Sequence, residues 1–399
     1  MEHKKIKILF VLNARLIGGS SRSLYEFIRL FDLNQIEPIF LIPSGEVVGL
    51  YEQLGLKVYT VKGISQLDNT QFGYYRGIRW LILLREFFFF PFVLLKLLKI
   101  KKEQISFDIV HFNEFTLLPE MFLIRRLFPK VPFMLHVRSV QRDCNHWISK
   151  KIYRYISKNV HTVLAIDESV KDTLPSNINA KILHNGLKLQ STIPNEEKHI
   201  FTVGYIGNFY LGKGILELIE SVNICKMAGL EFRLLLVGHR GSRPSFRKWV
   251  LRLFNFSQDA ERQVAKKIKK YNLYEYIDII GFTLSISDYI KKMDVLCNID
   301  LTYACGRPVF EAALHGVPSI VSIKKKRVDT IIDGETGVCI ESRQPKDIAK
   351  AIQWCYAHRE ELKSMGKQAK IMAENNFDVQ KNAHKLVEIY KNIIQKSHV

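Results

Sequence analysis

Residues 201–222 read FTVGYIGNFYLGKGILELIESV. An unbroken apolar run gives way to a glycine-rich loop, and the loop to apolar residues at helical spacing. A strand that is apolar at nearly every position must be covered on both faces, which is the condition of a parallel sheet. The same unit recurs along the chain. After it come FRLLLVG (232–238), IDIIG (277–281), DVLCNI (294–299) and PSIVSI (318–323). Before it stand KKIKILFVLN (4–13), PIFLI (38–42), KVYTV (57–61), DIVHFN (108–113), PFMLH (132–136) and VHTVLAI (160–166). Helical stretches such as SSRSLYEFIRLF separate most of these runs. The alternation predicts an α/β chain of parallel strands with helices on both faces of the sheet.

The pattern falters once, at LKLQSTIPNEEKHI (187–200), which is polar, contains Pro194 and has no periodic apolar face. It reads as a linker. A chain of 399 residues also exceeds one ordinary core. Two Rossmann-like, doubly wound domains follow, over residues 1–190 and 199–378. The stretch FDVQKNAHKLVEIYKNIIQ (377–395) has the spacing of an amphipathic helix. Doubly wound domains place ligands at the carboxyl ends of their strands, so a site in a cleft between the two domains is expected.

Lys and Arg total 59 against 39 acids, a net charge of +20. Such a field favours an anionic partner: nucleic acid, an acidic lipid surface or a phosphorylated substrate. The plainer account is solvated surface. Hydrophobic residues make up 47%, which excludes a disordered or fibrous chain. The six cysteines show no CxxC pair and no zinc spacing, so free thiols in a reducing compartment are expected. The N-terminal apolar run is a buried strand without a small-residue cleavage site, and a cytoplasmic location is expected. RWLILLREFFFFPFVLLKLLKIKK (79–102) is dense in Leu and Phe, but Arg85, Glu86 and Lys96 deny it a clean membrane span. Two readings stand side by side: a helix lying on a membrane with lysines at the headgroups, or a long core helix. Pro91 is expected to kink it or split it in two.

Three motifs carry chemistry. NARLIGGSSRSL (13–24) follows the first strand, and Gly18-Gly19 let the backbone turn tightly and approach a ligand beside a helix N-terminus. It is not GxGxxG, so a dinucleotide site is disfavoured, and alone it reads equally as a turn. In the opening stretch, Lys213 stands between two glycines just before a helix, where an amine can hold a diphosphate as a point charge. The P-loop spacing is absent. GRPVFEAALHGVP (306–318) places Gly306, Arg307 and Glu311 at a helix start. Arg307 can reach phosphate. Glu311 suits a pair of vicinal ribose hydroxyls, because a carboxylate offers two acceptor oxygens. An acidic residue at a helix start is also ordinary electrostatics.

The order of a glycine-rich N-terminal turn, GxxxxxKG and GRxxxEAxxxGxP, with HNG (184–186) and IIDGETGVCI (331–340), resembles the family 4 retaining glycosyltransferases of GT-B fold, the glycosyl transferases group 1. The resemblance covers nearly the whole chain and is strongest over 201–345. It implies an N-terminal acceptor-side domain, with the 379–399 helix packing back on it, and a C-terminal nucleotide-sugar-binding domain. Lys213 would bind the donor diphosphate and Glu311 the ribose, with Asn208, Gly306 and Arg307 beside them. Gly18 and Gly19 would meet the donor from the other side, and His136, in MLHVRSV, would stand near the transferred sugar. A backbone-satisfied strand-end histidine is the plainer account of His136. Catalytic roles would then fall to His136, Lys213 and Arg307. Two positions depart from the family: Asn208 stands where an arginine often follows the glycine, and Tyr303 where a first glutamate usually precedes Glu311 by eight residues.

The activity so implied is metal-independent, retaining transfer of a sugar from a nucleotide diphosphate sugar to a hydroxyl acceptor, in cell-surface polysaccharide or glycolipid synthesis. No cofactor and no metal are expected, since no DxD-like pair stands where it would be needed. The expected partners are the donor, a sugar or lipid-linked acceptor, and an anionic membrane contacted peripherally at the inner face of the plasma membrane. An epimerase of the same fold is the alternative, but no convincing pair of acid/base carboxylates is visible for it. A degenerate, non-catalytic partner is a third reading. Nucleic-acid binding is disfavoured, because the lysines are dispersed; HRGSRPSFRKWVLRLF (239–254) is its best local candidate.

Overall fold

The computed structural model describes residues 5–189, 200–239, 241 and 259–397, apart from 72, 74, 76, 143, 284 and 326. Most of the linker 187–200 and of the basic stretch 239–254 therefore lies outside the described residues. The chain divides into two units, one of residues 1–188 and 377–399, the other of residues 189–376.

Unit 1 is built on seven strands: β1 (Ile6–Val11), β2 (Ile36–Pro43), β3 (Lys57–Val61), β4 (Ile109–Phe112), β5 (Phe133–Val137), β6 (Thr162–Ala165) and β7 (Ala180–Ile182). Their order in the sheet is β3-β2-β1-β4-β5-β6-β7, with every ladder parallel. Strand β1 shows why its apolar run is continuous. Leu9 and Val11 enter one core, while Ile8 and Phe10 enter another on the opposite face. The first core takes Val93, Leu97 and Ile100 from the helix Ile82–Lys102. The second takes Phe27 from the helix Gly19–Ile28 and Leu386 and Tyr390 from the helix Val379–Ser397. Fully burying Leu386 contributes about 1.5–3 kcal/mol to holding that last helix on the sheet.

Unit 2 carries β8 (Phe201–Ile206), β9 (Phe232–His239), β10 (Ile277–Gly281), β11 (Val295–Asn298), β12 (Ser319–Ser322) and β13 (Gly337–Ile340). The order β10-β9-β8-β11-β12-β13 is again wholly parallel. In each sheet the chain starts at a central strand, winds outward one way and then returns to wind the other way. The reversal falls between β1 and β4 in unit 1 and between β8 and β11 in unit 2. Crevices at the carboxyl ends of such strand pairs are where doubly wound sheets bind ligands.

The edge strands β7 and β13 are missing from the sequence reading. They are 3 and 4 residues long and lie in the mixed stretches AKILHNG (180–186) and IIDGETGVCI (331–340) rather than in apolar runs, so their neighbours in the sheet decide them. Pro91 neither splits nor ends its helix, which runs unbroken from Ile82 to Lys102. Proline inside a helix costs about 3 kcal/mol, and the buried anchors Val93, Leu97 and Ile100 offset that. The same helix combines core and surface character. One face is core, while Leu84, Phe87, Phe88 and Leu95 on the other are more than half exposed. No helix among the described residues is long and apolar enough to cross a membrane. None of the six cysteines, all of them described, forms a disulfide, and Cys225, Cys297, Cys305 and Cys355 are buried.

Candidate active site

Strand β8 ends at Ile206, and the chain turns through Gly207 at φ +146°. A β-carbon on Gly207 would lie 4.0 Å from Lys213 Nζ and 3.8 Å from Tyr205 Oη, so the loop folds its amine back over its own start. Gly214, at φ +67°, begins the helix Ile215–Met227. A side chain there would run into the Ile299 carbonyl at 2.4 Å, so only glycine lets this loop close on the segment after β11. The Leu301 N–H donates to the Gly212 carbonyl at 2.7 Å and seals the contact. The loops on the two sides of the strand-order reversal are thus joined.

The second loop is stiff. The Asp300 carboxylate accepts from the Thr302 N–H at 2.8 Å and hydroxyl at 2.7 Å, and Ser322 Oγ donates to the Asp300 carbonyl at 2.9 Å. Tyr303 sits at φ +54°, a left-handed conformation that costs a bulky residue strain. Its ring lies under Lys324 Nζ at 4.3 Å. Where the resemblance would place a carboxylate, unit 2 presents an aromatic ring beside a cation.

Gly306 precedes the helix Arg307–Leu314, and a β-carbon on it would approach Asn298 Oδ1 to 2.8 Å. Glu311 is not at the mouth of this helix, as the sequence suggested. Arg307 and Pro308 fill the first positions, the first turn holds no acid, and Glu311 falls one turn further in. Arg307 Nε donates to Glu311 Oε1 at 2.8 Å, both side chains being largely buried. The charge of Arg307 is thus shared with the carboxylate one turn on. Asn208 Oδ1 lies 2.8 Å from His239 Nδ1, and the His239 ring stacks on Phe209 at 3.9 Å. Lys213, Asn208, Gly306, Arg307 and Glu311 all fall at the carboxyl ends of β8 and β11 or the helices that follow them.

Unit 1 gathers a polar cluster at the corresponding end of its own sheet. Arg138, just past β5, donates from Nε to Asn113 Oδ1 at 2.9 Å and from Nη1 to Asn185 Oδ1 at 2.8 Å. Its Nη2 lies 3.2 Å from His136 Nδ1. A guanidinium can only donate, so Nδ1 accepts and His136 is neutral with its proton on Nε2. His136 itself is fully buried, so Arg138 is the group that covers it. Its ring stacks on His111 at 5.7 Å, and His111 Nδ1 lies 2.7 Å from Tyr390 Oη. Glu114 accepts from the Phe115 N–H at 2.8 Å and from Ser139 Oγ at 3.0 Å; burial pushes its carboxyl above the usual range. Gly18 and Gly19 head the helix Gly19–Ile28, and a β-carbon on either would meet nothing within 4 Å. The packing of unit 1 does not itself demand glycine there.

Burial, and then the charge of Arg138, hold His111 and His136 well below the usual 6.5. Below pH 6.5 the unfolded chain takes up protons at these rings that the folded chain refuses. Their contribution is therefore complete above that pH and declines as the pH falls, by up to about 1.4 kcal/mol per ring per pH unit. Buried Glu114 and Glu120, raised above 4.5, act in the opposite sense, so the histidines are read by difference. The urea midpoint of the wild type should drop from pH 7 to pH 5.5 more than that of His111→Asn or His136→Asn. Equal drops would show that neither ring is buried neutral.

Residues 188–372 match the family described as Glycosyl transferases group 1. This part of the chain is a group 1 glycosyl transferase domain. The transferase domain thus coincides closely with unit 2, and its two loops are the ones joined at Gly212 and Gly214. The chain is 25% identical over 199 residues to the capsular polysaccharide biosynthesis glycosyltransferase CapM of Staphylococcus aureus. That match takes in 49% of this chain and 47% of CapM, about half the length of that relative. It is 22% identical to the uncharacterized glycosyltransferase MJ1069 of Methanocaldococcus jannaschii, over 73% of this chain and 76% of that one. In fold it is similar to Anabaena Alr3699/HepE, solved in complex with UDP-glucose, with a TM-score of 0.73 and 17% identity over 97% of this chain and all of that one. The fold is GT-B, two Rossmann-like units in one chain.

Beside the transferase domain, sequence reasoning missed Arg138, Asn113, Glu114 and His111. Each stands within a few residues of a strand end, in DIVHFNE (108–114) or MLHVRSV (134–140). That position was the available signal, since polar residues following a buried apolar run sit where ligands bind. Among the described residues no group of three or more His, Cys, Asp and Glu is placed to hold a metal ion.

Proposed function

We propose that the whole chain is a retaining, metal-independent glycosyltransferase. It moves a sugar from a nucleotide diphosphate sugar to a hydroxyl acceptor in the assembly of cell-surface polysaccharide or glycolipid. One observation carries the reading: the Lys213 loop, closed by Gly214 onto the segment that leads to Glu311, on the two strands that flank the reversal in a group 1 transferase domain. An amine and a carboxylate on adjoining loops suit the diphosphate and the ribose of one carrier. Lys213 and the N-terminus of the helix Ile215–Met227 supply preorganised positive charge for the departing diphosphate, so no metal or cofactor is required. Within unit 1, Arg138 over neutral His136 and the open Gly18-Gly19 turn supply polar groups at the carboxyl ends of its strands. The solved relative with bound UDP-glucose and the capsular name of CapM support the donor class and the pathway class. The exposed rings and lysines of the helix Ile82–Lys102 support peripheral contact with an anionic membrane at the inner face.

The test is calorimetry against UDP, GDP and ADP and their sugars, followed by product analysis with and without acceptor. One nucleoside diphosphate should bind well ahead of the others, and product should need the acceptor and keep the donor's anomeric configuration. If no nucleotide of the panel binds, the proposal fails.

A further inference from the structure

An apolar groove of about 420 Å³ opens in unit 1 among the helices Ile82–Lys102, Leu118–Leu127 and Trp147–Asn159. Its walls are Leu83, Phe87, Phe90, Phe122, Ile152 and Tyr155. Phe87 is 73% exposed and Phe122 46%, so large rings stand in water around a hollow of ligand size. Two cations stand at it: Lys151 lines the groove and lies over Trp147 at 5.0 Å, and Arg126 lies over the wall residue Phe122 at 4.9 Å. The acid in its wall is already engaged, since Glu86 accepts from the Gln66 N–H at 2.8 Å and pairs with Arg85.

The groove is tied to the segment that follows β1. Gln66 lines it, and Gln66 Oε1 accepts from Asn13 Nδ2 at 3.0 Å; Asn13 also donates to Thr116 Oγ1 at 2.9 Å. Asn13 begins the segment that carries Gly18 and Gly19. An amphiphile with its chain in the groove would have Gln66 and, through it, Asn13 as polar neighbours.

We propose that this groove holds the hydrocarbon chain of a lipid-linked, phosphate-bearing acceptor. The proposal rests on the transfer reading above and names its acceptor class. Charge complementarity selects this occupant. An apolar hollow with two cations at it fits a chain ending in phosphate, whereas simple bilayer contact needs neither the hollow nor its link to Asn13.

The full-length chain, without vesicles, is titrated with cis-parinarate, a fluorescent single-chain probe, and the probe is competed with dodecyl phosphate and farnesyl phosphate. Binding should saturate at one probe per chain, and the better competitor identifies a saturated or a prenyl chain. Phe122→Glu, which charges the wall, and Leu83→Trp, which fills the hollow, should each weaken binding about tenfold or more. Thermal unfolding and nucleotide binding should stay at wild-type values. Absent or unsaturable binding overturns the proposal, as does equal binding by both folded variants. Pelleting with phosphatidylglycerol vesicles in the absence of monomeric probe binding overturns it too, and makes the face a bilayer contact only. Loss of nucleotide binding with parinarate binding intact would sink the transfer reading instead.

Discussion

Lys213→Ala is expected to lower kcat about 100- to 1,000-fold, the cost of removing one preorganised group that stabilises charge in a transition state. In sugar transfer the leaving group is a diphosphate that gains negative charge as its bond to the anomeric carbon breaks. Lys213 is held for that task by the geometry of its loop. Gly207 and Gly214 occupy positive φ, the turn Leu211–Lys213 is pinned through Gly212 to Leu301, and the amine is folded back toward Gly207. Truncation removes the charge and leaves this backbone intact, so the melting temperature should not move. The donor KM should change less than kcat, because the amine matters most when the charge develops. Wild-type turnover in the variant would remove Lys213 from the site.

Glu311→Ala is the second large effect, and it strikes binding as well as turnover. A charged acceptor shared by two ribose hydroxyls is worth about 1.5–3 kcal/mol per hydrogen bond, which corresponds to a loss of kcat/KM of about ten- to a hundredfold or more. In the free chain Glu311 is paired with Arg307, so part of any loss comes from the changed surroundings of that guanidinium. Arg307→Ala and the double variant separate the two contributions. If Glu311 serves the ribose, Glu311→Ala should raise the KM for donor, leave the KM for acceptor alone, and do so equally in the Arg307→Ala background. A purely structural pair would give donor and acceptor constants that move together, and the double variant would be no worse than either single one.

Much of the fold and part of the site are legible in the amino-acid sequence. The apolar runs at 4–13, 108–113, 201–207 and 294–299 are nearly featureless in composition. That lack of alternation is itself informative, because only a sheet covered on both faces tolerates it. Glycine at 207 and 214 marks a loop that must turn sharply, and Lys213 between them is the obvious amine. The Arg307–Glu311 pair is less legible. Its spacing of four residues is visible, yet the motif suggests two residues serving a ligand separately. Where Gly306 and Pro308 set the start of the helix decides that the two side chains lie one turn apart on the same face. Arg138 escapes notice because its role depends on Asn113 and Asn185, which lie 25 and 47 residues away.

The sequence by itself determined the class of fold, the parallel strands of the two halves, and the glycines and charges at the ends of the central strands. These are properties of short segments, set by side-chain period and by the few residues that tolerate a tight turn. Only the tertiary structure decided which strand ends lie side by side, that the Gly214 loop closes on Ile299, that Tyr390 reaches His111 across 279 residues, and that three helices leave an apolar hollow beside Asn13. Such contacts depend on winding order and packing, which no local pattern encodes, because residues far apart in the chain become neighbours only when the sheet is assembled.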